Sequence, residues 1–249
     1  MIYYLLIILI LIYIYYFSNY DIKHNIVKHN NILNNIILEQ FKIYNFINNE
    51  IYSNIVVDVY EYKNKSLKII KNYKTTINNF INSKTDNLSQ AVIELDNNIN
   101  FMYVLNLIKK DLSKYYNVKK LKKFKLRISK TPWLYPAHFD CINGKLLQLY
   151  NKRIINTVKF KDINKFNNLD KKLPSYIKKF NTSKSTILLP GDLIEIPIQL
   201  IHSVEGYSLD NNNISIALSF CTDTKNVNCE KIFNKKFKYR NNELNNGYL

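Results

Sequence analysis

All five prolines of this chain, and three of its four glycines, fall between Pro132 and Gly206. Helix interiors tolerate neither residue well, so this stretch has to be built from short extended segments joined by tight turns. The intervals between the turn residues read as strands at FKLRISK, KLLQLY, RIINTVKF, STILLP, DLIEIP and NISIALSF, each bounded by Pro, Gly, Asn or Asp. Short strands in succession, without long helices between them, predict a mainly β fold with flanking helices, a jelly-roll or similar barrel.

Upstream of that stretch the pattern is mixed. IVVDVYEYK and SLKII, rich in β-branched and aromatic residues, bracket a turn containing Asn64 and predict a β-hairpin. Helical spacing returns in YKTTINNFI, and again from about residue 90 to 116. Between residues 22 and 50, Leu33, Ile36, Ile37 and Phe41 are spaced as on an amphipathic helix that packs on something larger. The expected organisation is a membrane anchor over 1–20, a helical stalk or brace over 21–50, the barrel domain over 51–230 and a basic polar tail over 231–249.

With 249 residues the chain can form one large domain or two small ones. Its 47% hydrophobic content excludes an intrinsically disordered chain, and its few Gly and Pro exclude a collagen-like or linker-like one. Three cysteines in such a length exclude a disulfide scaffold. The net charge of +17 comes from 36 Lys+Arg against 19 Asp+Glu. Because Ile, Asn, Lys, Tyr and Phe have AT-rich codons, the Lys excess partly reflects coding bias, and the general basic balance reads as a solvated surface. The densest cluster, Lys109 to Lys130, holds ten basic residues and one acidic one, with Tyr115, Tyr116 and Phe124 interleaved. It suits an anionic lipid surface or a nucleic-acid backbone, or serves as a solvated face.

MIYYLLIILILIYIYYF, from Met1 to Phe17, carries no charged side chain. As a helix it rises about 25 Å, enough to cross a thin hydrocarbon core. Tyr3, Tyr4, Tyr13, Tyr15 and Tyr16 stand near its ends, where amphipathic rings favour the headgroup level. A cleavable signal peptide would have a basic leader and a small-residue cleavage site, and neither is present, so a retained single-pass anchor is expected. Lys23 and Lys28 follow the span, which by the positive-inside rule places the rest of the chain in the cytoplasm. Sequons at Asn64, Asn87 and Asn213 would permit the opposite orientation.

Four histidines occur, at 24, 29, 138 and 202. In YPAHFD, His138 and Asp140 are two apart, so on a strand both would project to one face and Phe139 to the other. His202 ends the run PGDLIEIPIQLIH, in which Gly191 and Asp192 make a turn and Leu193 to Ile196 a strand. A second imidazole can then meet the first pair across a barrel. Two imidazoles and a carboxylate on one face of a metal leave the opposite positions open, the geometry of a non-haem Fe(II) oxygenase.

TPWLYPAHFDCINGKLLQLYNKRIINTVKF, followed by PGDLIEIPIQLIHSVEG and NISIALSF, resembles the cupin-like branch of the jumonji-C oxygenases over roughly residues 125 to 221. The resemblance implies a double-stranded β-helix that uses Fe(II) and 2-oxoglutarate to hydroxylate its substrates, or to demethylate them through hydroxylation. It makes His138, Asp140 and His202 the iron ligands. In that family a Gln, a turn Gly and then a Lys lead into the next strand, and the Lys binds the distal carboxylate of 2-oxoglutarate. Here Gln148 matches, Asn151 stands where Gly is usual and Arg153 where Lys is usual. Asn tolerates a left-handed turn, and Arg keeps the charge as a planar fork. Lys152 is an alternative anchor, Tyr135 offers a phenol three residues before the first ligand, and Ser219 on the last strand is a further pocket residue.

Trp133 and Phe139 read as core aromatics, and Cys141 as a small buried hydrophobe whose parity turns it from the ligands. Cys221 and Cys229 are too far apart for a zinc knuckle. The expected activity is therefore that of a membrane-anchored oxygenase. Its rivals are a non-catalytic cupin at a membrane, which the altered turn and anchor residues would fit, and a lipid or nucleic-acid binder working through the basic cluster.

Overall fold

The computed structural model describes residues 26–62, 69–85, 87–96, 98–138, 140, 143–158, 183–197 and 200–222. The expected anchor, the tip of the β-hairpin, Phe139, Cys141, Cys229 and the basic tail lie outside the described residues. No described helix is long and apolar enough to cross a membrane.

Eight consecutive strands form the barrel: β5 (Leu121–Lys130), β6 (Trp133–His138), β7 (Gly144–Tyr150), β8 (Lys152–Val158), β9 (Lys184–Leu188), β10 (Leu193–Ile196), β11 (Ile201–Tyr207) and β12 (Ile214–Thr222). They divide between two antiparallel sheets, with neighbours β10-β7-β12-β5 in one and β6-β11-β8-β9 in the other. Pairs of consecutive strands thus cross from sheet to sheet, which is the double-stranded β-helix. The larger sheet is extended at one edge by β1 (Val27–His29), which pairs with β10. At the other edge it continues through β4 (Leu88–Glu94), β2 (Val56–Tyr62) and β3 (Ile69–Thr76).

The larger sheet is buried on both faces, and adjacent residues serve different cores. Leu147, Ile216 and Leu218 face a helical layer, whereas Leu146, Ile194 and Ala217 point between the sheets. That double burial is why KLLQLY and NISIALSF are nearly continuous in apolar residues rather than alternating. The helical layer consists of α1 (Asn35–Gln40), α2 (Ile43–Asn48), α3 (Glu50–Ser53), α4 (Ile77–Asn82) and α5 (Met102–Leu112). Its aromatics stack closely, with Tyr52 on Phe101 at 4.7 Å and Phe46 on Tyr52 at 5.4 Å.

Three local expectations need correction. The single amphipathic helix after residue 22 is a short strand followed by three short helices: Asn49 caps α3 by accepting from Ile51 N at 3.0 Å, and Ile36 is 70% exposed while Ile37 and Phe41 are buried. In YKTTINNFI the helix begins only at Ile77, because Tyr73 to Thr76 pair with β2 and Thr76 then caps the helix. Residues 90–94 form β4 between β2 and β5, where strand pairing overrides the helical spacing. The helical expectation holds from Met102 to Leu112.

Candidate active site

His202 sits on β11, just after a turn closed by Leu200 N donating to Pro197 O at 3.2 Å. The residue is 2% exposed, and its Nδ1 lies 3.0 Å from the Leu200 carbonyl. A carbonyl only accepts, so Nδ1 donates and, in the neutral ring, Nε2 carries the lone pair. Nε2 faces Oδ2 of Asp140 at 3.7 Å. A lone pair aimed at a carboxylate is repulsive, and a cation between them converts that repulsion into coordination.

β6 ends at His138, and Asp140 lies just beyond it. The backbone register sets His138 directly opposite His202 across the β6–β11 pair. Among the described side chains no cluster of three His, Cys, Asp or Glu forms; His202 and Asp140 are the pair brought together. The donor types, one imidazole nitrogen and one carboxylate with a second histidine opposite in register, fit Fe(II).

One cavity between the sheets is lined by His202, Asp140, Tyr135, Arg153 and Ser219, so five of the eight residues singled out in the sequence share one space. Arg153 is 1% exposed. Its Nε donates to Ser215 Oγ at 3.2 Å and its Nη2 to Ser129 Oγ at 3.1 Å, and the guanidinium lies 5.5 Å from the Trp133 ring centre. Burial first, and the nearby Arg127 second, pull its pKa down to about 9. Among the described residues no carboxylate pairs with it. A buried cation with no paired carboxylate among the described residues is costly, and an incoming anion offsets that cost.

Lys152 and Gln148 do not line this cavity. Strand alternation turns Lys152 the other way, over the Tyr207 ring at 5.5 Å. Gln148 is fully buried and holds the β7–β8 turn, its Nε2 donating to Tyr150 O (2.6 Å), Asn151 O (3.2 Å) and Ser215 Oγ (3.1 Å). Through Ser215 it positions Arg153. Asn151 adopts φ +60°, the left-handed turn expected of it.

Sequence reasoning missed Arg127, which lines the cavity, donates from Nε to Ser219 Oγ at 2.8 Å and from Nη1 to Gln90 Oε1 at 3.1 Å. A signal was present in FKLRISK: Phe124, Leu126 and Ile128 alternate with Lys125, Arg127 and Ser129, and a polar face on a strand with both faces covered must line something polar. Trp133, read as core, is buried and also forms a cavity wall.

Barrel and cavity together define a double-stranded β-helix with a pocket between its two sheets. No family model matches the sequence, and no curated protein does either. Among solved structures the chain is similar to Escherichia coli ycfD, with a TM-score of 0.54 and 12% identity over 85% of this chain and 53% of that one. A second structure, described as the Escherichia coli ribosomal oxygenase YcfD, gives a TM-score of 0.51 at 12% identity over 82% of this chain and 49% of that one. The chain thus spans about half the length of these proteins. At this identity the likeness establishes the fold.

Proposed function

We propose that this protein is a membrane-anchored Fe(II)- and 2-oxoglutarate-dependent oxygenase of hydroxylase or demethylase type. The observation that carries this reading is one cavity that holds both the His202–Asp140 pair and a buried Arg153 with no carboxylate partner among the described residues.

His138, Asp140 and His202 would hold Fe(II), two imidazoles and a carboxylate being donors that suit it. The hydrogen bond from His202 to the Leu200 carbonyl holds the imidazole in the tautomer a metal requires. Arg153 would take the distal carboxylate of 2-oxoglutarate, with the Tyr135 phenol and the Ser219 hydroxyl lining the same cavity from opposite sheets. Trp133, Leu146, Ile196, Val204 and Phe220 give the cavity an apolar lining that excludes water and strengthens each charge contact inside it. When bound, iron with 2-oxoglutarate supplies the oxidation by O₂ that no side chain can perform. The uncharged segment Met1–Phe17 would be the anchor, with the barrel on the cytoplasmic side next to Lys23 and Lys28.

The test is an anaerobic titration of the full chain in detergent with Fe(II) and then 2-oxoglutarate, following the charge-transfer absorption of the chelate, with His202→Ala as the control. A band in the wild type that the variant lacks supports the oxygenase. Iron bound without a band would leave a metal-binding cupin, and no iron bound would leave a non-catalytic barrel.

A further inference from the structure

The described chain begins at Ile26 and passes at once into β1, the outermost strand of the large sheet. His29, at the end of that strand, packs its ring against Tyr115 at 5.3 Å and Tyr116 at 6.2 Å. The chain therefore joins the fold beside the segment that follows α5. That segment exposes Tyr115, Lys119, Lys120 and, at the start of β5, Lys123. Among the described residues no carboxylate pairs with Lys119, Lys120 or Lys123, whereas Lys114 nearby is paired with Asp111 at 3.0 Å.

The same face carries the rim of the cavity. Lys123 adopts φ +59° where the β5–β12 register shifts between Ser219 and Cys221, and it lines the cavity with Phe220 and Cys221. An irregular strand position re-aims a side chain, and here the result is the one fully exposed residue of the cavity's described lining. The buried wall residue Lys145 ties the two features together. Its Nζ meets Glu195 Oε2 at 3.1 Å, and Glu195 Oε1 in turn meets Tyr116 OH at 2.6 Å and His29 Nε2 at 3.2 Å.

The uncharged run ends at Phe17, leaving only residues 18–25 before Ile26, a tether that reaches at most about 30 Å. A bilayer holding that run is therefore within reach of this face first. Exposed tyrosine beside unpaired lysines is the composition that favours acidic headgroups, at about 1 kcal/mol per basic residue.

We propose that the face formed by Tyr115, Lys119, Lys120 and Lys123 rests on an anionic lipid bilayer, with the cavity opening onto that surface. The docking rests on the membrane anchor proposed above. Its consequence, that the oxidised substrate is a molecule presented at the membrane, rests on the oxygenase reading above.

The experiment is amine labelling of lysines, read by mass spectrometry, on the full chain in phosphatidylcholine vesicles with and without phosphatidylserine. Lys74, exposed on β3 at the opposite edge of the sheet, is the internal control. Labelling of Lys119 and Lys120 should fall about fivefold in the phosphatidylserine vesicles, the factor that roughly 1 kcal/mol gives, and recover at high salt. Lys74 should not change. In Lys119→Gln/Lys120→Gln the protection of Lys123 should be lost. Equal labelling in both vesicles would overturn the proposal, as would protection of these lysines by RNA but not by vesicles. His202→Ala should keep the footprint while losing the charge-transfer band, so that failure of the docking and failure of the oxygenase reading are read separately.

Discussion

Oδ2 of Asp140 stands 3.7 Å from Nε2 of His202, and a methyl group on Gly144 would lie only 3.2 Å from that same oxygen. The carboxylate is thus seated against a position that carries no side chain at the start of β7. Gly144→Ala should displace the carboxylate by a few tenths of an ångström and weaken Fe(II) binding by about tenfold, the effect typical of disturbing a ligand's support. Anaerobic equilibrium dialysis measures the loss, and a thermal melt within a few degrees of wild type shows that the barrel survives. Unchanged affinity would mean that this carboxylate is not a ligand.

Arg153→Met separates co-substrate binding from folding. Removing a buried charge that no described carboxylate pairs with should leave stability unchanged or raise it. Loss of the partner for a desolvated carboxylate should weaken 2-oxoglutarate binding by about a hundredfold, within the roughly 2–5 kcal/mol usual for such pairs. Iron binding should persist. Urea denaturation and the charge-transfer titration report the two effects, and a variant with normal 2-oxoglutarate affinity would remove Arg153 from the site.

The same residue sets a pH dependence. Burial first, and the nearby Arg127 second, lower its guanidinium from the ordinary arginine range to about 9. Only the charged form attracts a carboxylate, so 2-oxoglutarate affinity should hold below pH 9 and fall about tenfold per unit above it. Above about pH 9, and below the ordinary arginine range, the unfolded chain keeps a proton that the folded chain has released, so the Arg153 contribution to stability rises with pH there. Binding and stability therefore move in opposite directions, and Arg153→Met should lack both trends.

Asn151 makes the β7–β8 turn possible in two ways. Its φ of +60° is left-handed, and its side chain donates to Ile214 O at 2.6 Å and accepts from Leu209 N at 3.0 Å. Asn151→Gly keeps the conformation and should cost about 1–2 kcal/mol for the lost hydrogen bonds. Asn151→Ala should cost about 1 kcal/mol more, because it also strains the backbone. Urea melts of the two variants give the difference directly, and equal losses would show that the turn is not held left-handed.

Six barrel strands, β5, β7 to β10 and β12, were readable because each lies between turn residues and is apolar enough to be buried. β1, β4 and β11 were not read as strands, since their pairing partners are distant in sequence and their own patterns are ambiguous. At the site, residue types were legible and their directions were not. RIINTVKF and the preceding Lys offer two adjacent cations, and strand geometry requires them to face opposite ways. Which one faces inward depends on the register of β8 against β11, where Arg153 pairs with Gly206 and Lys152 with Tyr207.

The sequence by itself determined a mainly β domain, the position of its turns, and the presence of a His-x-Asp and a later His, residue types that serve as metal ligands, because these follow from local backbone chemistry and residue type. Only the tertiary structure decided that Asp140 meets His202, that Arg153 and Arg127 share one cavity, and that Gln148 braces a turn instead of lining the site. Those relations arise when the two sheets close on each other, and closure is set by long-range strand register, which no local pattern encodes.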